Sequence, residues 1–98
     1  MKDIRAAQNV GRTYWVGETN SVNCGGYSGV SDVFGTALWA VDYLFSSASV
    51  GIAGCNFHGD TSSPYNAYEL IHGLAVKPLF YGMLFFTGNT TQPLNSKK

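Results

Sequence analysis

Charge is scarce in this 98-residue chain: Asp, Glu, Lys and Arg make up 12% of it, about half the share usual for a soluble domain. Six basic and six acidic residues cancel, and two of the lysines, Lys97 and Lys98, sit at the very end. No basic stripe for nucleic acid therefore exists. Long apolar runs are missing as well. Asp42 interrupts the stretch 33–45 and Lys77 precedes the one that ends at Phe86, so no segment reaches the length of a bilayer span. The opening Met-Lys-Asp-Ile-Arg lacks the apolar core of a signal peptide. Cysteine is limited to Cys24 and Cys55, which form no CxxC pair; their spacing does not demand a disulfide, and they are expected to stay unpaired. His58 and His72 lack metal-ligand spacing and have no evident third ligand, so neither a metal nor a cofactor is expected. The one sequon, Asn89-Thr90-Thr91, matters only in a secreted chain.

What is present is apolar and glycine-rich: 45% hydrophobic residues, twelve glycines, and six each of Tyr and Phe. Such a composition suits elements covered on both faces. A chain this short buries a small share of its surface and has a thin stability margin. The expectation is a fragment whose packing partners lie outside it.

Residues 3–9 read as the tail of a helix stopped by Gly11. Residues 12–17 are β-branched and aromatic, which predicts a strand with Glu18 where it runs out. A polar, glycine-rich loop follows over 19–30. Ser31 is the expected N-cap of a helix, with Asp32 in its first turn. Val33, Phe34, Ala37, Leu38, Val41, Leu44, Phe45 and Ala48 recur at helical spacing through to residue 49, and apolar residues on other sides predict a buried helix. Gly51 closes it. A second strand is expected over 52–58, a long loop over 59–76, and a final helix from Pro78 to about residue 87, ended by Gly88. Residues 89–98 are polar and are expected to form a flexible tail.

The order is a βαβα run, the signature of a parallel sheet with crossover helices. Two strands cannot make an independent α/β domain. The predicted fold class is therefore α/β, with residues 1–98 a piece of a (β/α)8 barrel: about two parallel strands with their helices, missing the remainder of the barrel. In such barrels the functional groups sit at the C-terminal ends of strands and on the following loops. Glu18 ends the first strand; Asn56 and His58 end the second and share a side by period two. The same count puts Tyr14, Val16 and Glu18 on one side and Trp15 on the other, in the core, while Trp39 and the aromatics of the last helix read as packing residues. A strand-end carboxylate suits glycoside chemistry, where two carboxyl groups flank the bond being cut, but Asp32 reads as a helix-start residue, Asp42 lies mid-helix, and Asp60 and Glu69 fall on the long loop. From composition and spacing alone, a solvated strand end is the stronger reading of Glu18 and a glycosidase carboxylate the second. His58 fits a sugar-site residue and a structural histidine equally well.

The residues Gly17-Glu18-Thr19-Asn20-Ser21, then Gly25-Gly26, Gly29-Val30-Ser31-Asp32-Val33-Phe34 and Ala37-Leu38-Trp39-Ala40-Val41-Asp42-Tyr43-Leu44 resemble family 79 of the glycoside hydrolases, which holds β-glucuronidases and heparanase. The similarity continues through Gly51-Ile52 and Asn56-Phe57-His58-Gly59 to Lys77-Pro78-Leu79-Phe80-Tyr81-Gly82, over roughly residues 13 to 86. The Cys-Gly-Gly turn and the Asn-Phe-His strand resemble the fungal β-glucuronidase branch most.

The resemblance implies a retaining hydrolase acting on β-linked glucuronic acid, or its 4-O-methyl form, in a glycan. It makes Glu18 the nucleophile that forms a covalent glycosyl-enzyme, with the acid/base on an earlier strand outside this chain. Gly25 matches a backbone donor to the sugar's C6 carboxylate, and Tyr65 falls near, within a residue or two of, a tyrosine that binds the same group. Asn23 and Cys24 stand where heparanase and bacterial relatives carry tyrosine and glycine, so the tyrosine's contact to the carboxylate is either lost or replaced by an amide. Asn23, Asn56 and His58 complete the expected substrate-binding set. The parent enzyme would be extracellular or secreted. The alternative is a non-catalytic carbohydrate-binding or inert remnant that keeps half a site.

Overall fold

The computed structural model describes residues 1–90; residues 91–98 of the expected tail lie outside them. Helix α1 (Lys2–Asn9) leads to strand β1 (Tyr14–Thr19), helix α2 (Phe34–Ser49), strand β2 (Ile52–Phe57), two short strands, β3 (Tyr68–Glu69) and β4 (Ala75–Val76), and helix α3 (Pro78–Thr90). β1 and β2 pair in parallel, as the βαβ order requires. The arrangement is mixed α/β and compatible with a fragment of a larger sheet protein.

α1 stops at its expected glycine: the Gly11 N–H reaches the Gln8 carbonyl at 3.0 Å and the Arg12 N–H reaches Ala7 at 2.9 Å, the paired bonds of a Schellman close. α2 begins later than its sequence suggests. Its N-cap is Val33, in extended conformation and without a side-chain cap, not Ser31. The loop takes the polar groups first: Ser31 Oγ accepts the Tyr27 N–H and the Ser21 hydroxyl, each at 3.0 Å, and Asp32 accepts the Gly29 N–H at 2.6 Å and the Ser28 hydroxyl at 3.0 Å. Short polar side chains close local turns as readily as helix ends. The Asp32 carboxyl is held below its ordinary value by those two bonds.

α2 buries one stripe, Thr36, Ala37, Ala40, Leu44 and Ser47, and α3 packs on it. The small residues matter, because a Cβ at Gly82 would stand 2.5 Å from the Ala37 carbonyl oxygen and 2.8 Å from the Ala40 Cβ. Gly82 therefore permits the close approach of the two helices. Trp39 and Tyr43 stack at 5.1 Å, and Phe57 of β2 meets both edge-on. The rest of α2 is not buried within this chain: Phe34 is 71% and Leu38 59% exposed. Trp15, expected in the core, is 56% exposed, its ring lying over Gly54.

The expected long loop 59–76 contains the antiparallel pair β3–β4, with Tyr68 opposite Val76 and Glu69 opposite Ala75. Tyr68 meets Phe80 of α3 at 5.4 Å, which anchors the hairpin. α3 passes through Gly88 instead of stopping there. Its last turn is held by Asn89 Nδ2 and Thr90 Oγ1, which donate to carbonyls four residues back at 2.7 and 2.8 Å.

Candidate active site

The parallel register runs Val16 opposite Cys55 and then Thr19 opposite Phe57. β1 thus takes three steps where β2 takes two, and Gly17 and Glu18 together face the single residue Asn56. Such a bulge breaks the alternation of side chains and re-aims one of them. Thr19 then turns to α2, its hydroxyl donating to the Tyr43 hydroxyl at 3.1 Å. The period-two count that grouped Glu18 with Tyr14 and Val16 fails for this reason. The Glu18 carboxylate stands 3.3 Å from His58 Nδ1, with the two side chains 73% and 45% exposed. The His58 N–H donates to the Thr19 carbonyl at 2.9 Å, carrying the pairing one residue past β2, and its ring meets Tyr65 edge-on at 5.8 Å.

Glu18, His58 and Tyr65 line a hollow of about 260 Å³ with Asn23, Cys24 and Asn20. Glu18 is the one carboxylate in its wall. Asp60 is committed elsewhere: it accepts the backbone N–H groups of Ser62 and Ser63 at 2.8 and 2.7 Å and the Ser63 hydroxyl. These bonds hold the Asp60 carboxyl far below the usual carboxylate range. Asn66 completes the loop, donating to the Asp60 carbonyl at 2.7 Å and accepting the Asp60 N–H at 2.9 Å. Glu69 accepts the Ile71 N–H and faces His72 at 3.8 Å.

The organised loop seats Tyr65, which is 5% exposed and packs so closely on Gly26 that a Cβ there would stand 2.8 Å from its ring. Burial raises the Tyr65 phenol first, and the charges of Asp60, Glu18 and Cys24 add to the effect. The phenol therefore stays protonated and can donate a hydrogen bond into the hollow. Behind it, the Gly26 N–H donates to the Asn23 carbonyl at 3.2 Å. The two residues between, Cys24 and Gly25, have φ of 55° and 93°, the double positive φ of a type I′ turn. Gly25 suits that position, and Cys24 is the non-glycine residue held at positive φ among those described, a conformation that costs energy and clusters at functional sites.

Of the residues expected in the site, Glu18, Asn23, His58 and Tyr65 come together. Gly25 lies in the turn behind the wall, its carbonyl taking the Tyr65 N–H at 3.5 Å. Asn56 faces the bulge on the neighbouring strand and is not part of the wall. Cys24 and Cys55 are both free. Asn20, which in the sequence belongs to the motif around Glu18 without a role of its own, also lines the hollow. Its side-chain amide donates to the His58 carbonyl at 2.8 Å and the Tyr65 carbonyl at 3.3 Å, partners 38 and 45 residues away that no local pattern reveals.

Two larger hollows, about 410 and 320 Å³, lie along β2 and α3 and share Phe57 and Met83. Their walls are mostly apolar, with Trp15, Leu44 and Phe86 in one and Tyr68, Leu70 and Leu79 in the other. Neither holds Glu18.

No family model matches the chain. It is similar to the β-glucuronidase of Neurospora crassa, with 34% identity over 84 residues, 82% of this chain and 15% of that protein. It is also similar to the β-glucuronidase of Aspergillus niger, with 37% identity over 59 residues, 60% of this chain and 11% of that protein. The chain is thus related to glucuronidase-type glycoside hydrolases and spans less than a sixth of the length of these curated relatives.

Proposed function

We propose that this chain is the nucleophile-bearing part of a retaining β-glucuronidase of glycoside hydrolase family 79, formed by the last two strand–helix units of a (β/α)8 barrel. The observation that carries the reading is Glu18 at the end of a parallel strand, in one hollow with His58 and Tyr65, in a chain similar to two fungal β-glucuronidases. β1 is the one partner of β2 among the described residues, so each of the two strands keeps an edge on which a neighbouring barrel strand would pair.

In this reading the Glu18 carboxylate attacks the anomeric carbon and forms a glycosyl-enzyme, which water then hydrolyses with retention. His58, within reach of the Glu18 carboxylate, helps to hold it below the sugar ring. A second carboxylic acid, supplied from outside this chain, stands about 5–5.5 Å from Glu18 and protonates the leaving oxygen. The Tyr65 hydroxyl and the Asn23 amide, which line the hollow, are the groups that would receive the C6 carboxylate of a glucuronic acid; the Gly25 N–H, in the turn behind them, would do so only from outside that lining.

A remnant without catalysis is the second reading, favoured by the single carboxylate in the hollow. A chimera separates the two, with these 98 residues replacing the matched stretch of the Neurospora crassa protein. The enzyme reading expects it to cleave 4-nitrophenyl β-glucuronide and Glu18→Gln to abolish turnover with the fold intact. A folded chimera without turnover supports the remnant, and turnover indifferent to Glu18→Gln removes Glu18 as the nucleophile.

A further inference from the structure

The two halves of the hollow belong to segments far apart in sequence. Glu18 is carried on β1, while His58 and Tyr65 are carried by the chain that leaves β2. Past the last strand pairing, and beside the packing of Tyr65 on Gly26, the described polar links between them inside this wall are few: the Glu18–His58 contact, in which both side chains are substantially exposed, the Tyr65 N–H bond to Gly25 at 3.5 Å, and the side chain of Asn20.

We propose that Asn20 is a positioning residue that fixes the distance between Glu18 and the His58–Tyr65 wall. Its amide nitrogen has two hydrogens and uses both across the gap, one on the His58 carbonyl and one on the Tyr65 carbonyl. Its oxygen accepts the N–H of Ser21 at 2.7 Å, which fixes the rotamer that aims the nitrogen. Asn suits this position because one planar group supplies two donors and an acceptor together. Leu, Ser or Thr would leave at least one of the three backbone groups without this partner. The bond to His58 is the shorter, so the backbone of His58, whose ring touches Glu18, is held more tightly than that of Tyr65.

The proposal rests on the glucuronidase reading for its catalytic consequence, and the test keeps the two apart. Asn20→Asp retains the shape and the acceptor for Ser21 while replacing the donor with an oxygen that faces two carbonyls; Asn20→Ala removes all three bonds. In the chimera each variant is expected to lower kcat for 4-nitrophenyl β-glucuronide by about 10- to 100-fold, the scale of an ångström's misplacement of a reacting group, with a much smaller change in KM. Hydrogen exchange in peptides spanning residues 57–66 is expected to quicken, with that of α2 and α3 unchanged. Unaltered kcat, a loss carried entirely by KM, or unaltered exchange over 57–66 would overturn the proposal. If the unsubstituted chimera turns nothing over, the enzyme reading has failed on its own, and the exchange measurement still decides whether Asn20 ties the two segments.

Discussion

Two glycines of α3 respond in opposite senses to the same substitution. Alanine is favoured over glycine in a helix interior by about 1 kcal/mol, and at Gly88 nothing lies within 4 Å of an added Cβ. Gly88→Ala is therefore expected to stabilise the fold by about 1 kcal/mol. At Gly82 the added Cβ would stand 2.5 Å from the Ala37 carbonyl oxygen, short of the 3.4 Å at which ordinary contact begins. The obstruction is helix backbone, which cannot rotate aside, so α2 and α3 must part. Overpacking of this kind costs about 1–3 kcal/mol, and the propensity gain offsets about 1 kcal/mol of it. Gly82→Ala is thus expected to destabilise by up to about 2 kcal/mol. Urea midpoints of the chimera, followed by tryptophan fluorescence, should move up for Gly88→Ala and down for Gly82→Ala. A rise for both would refute the close approach of the helices at Gly82.

The free 98-residue chain, with Phe34, Leu38, Leu84 and Phe85 exposed, is expected to self-associate or lack a cooperative transition; a monomer by light scattering with a sharp calorimetric peak would contradict this. Asp60 offers a test by pH. Its folded-state carboxyl is depressed, so its bonds stabilise the 60–66 loop at any pH above the unfolded value of about 3.9 and are lost only as pH falls through the lower folded value. A carboxyl-carbon NMR titration of Asp60 in the chimera should show a midpoint well below the ordinary value, and a midpoint near 3.9 would remove Asp60 as the organiser of the loop.

Much of this arrangement was legible in the residues. The β-branched run before Glu18, the apolar periodicity of α2 and the glycine stops placed two strands and a helix in the right order, and the pairing is parallel as that order implies. The convergence of Glu18 with His58 was also legible, because both stand at strand ends. Other features depended on partners that a local pattern does not contain. Ser31 carries the mark of an N-cap, yet its hydroxyl is used by Tyr27 and Ser21. The bulge at Gly17 and Glu18 shifts the alternation of β1 after Val16, so Glu18 does not fall where a strict period of two puts it, and Trp15 is exposed because nothing in this chain covers its side of the strand. The bridge made by Asn20 joins segments of the chain about forty residues apart, and only the folded chain brings them together.

The central claim is that Glu18 is the nucleophile. The most direct measurement is to treat the chimera with a cyclophellitol-type uronate probe, which traps the attacking carboxylate covalently, and to map the labelled peptide by mass spectrometry. The expected result is one label per active chimera on Glu18, absent in Glu18→Gln. A label on any other residue, or labelling that survives Glu18→Gln, would contradict it.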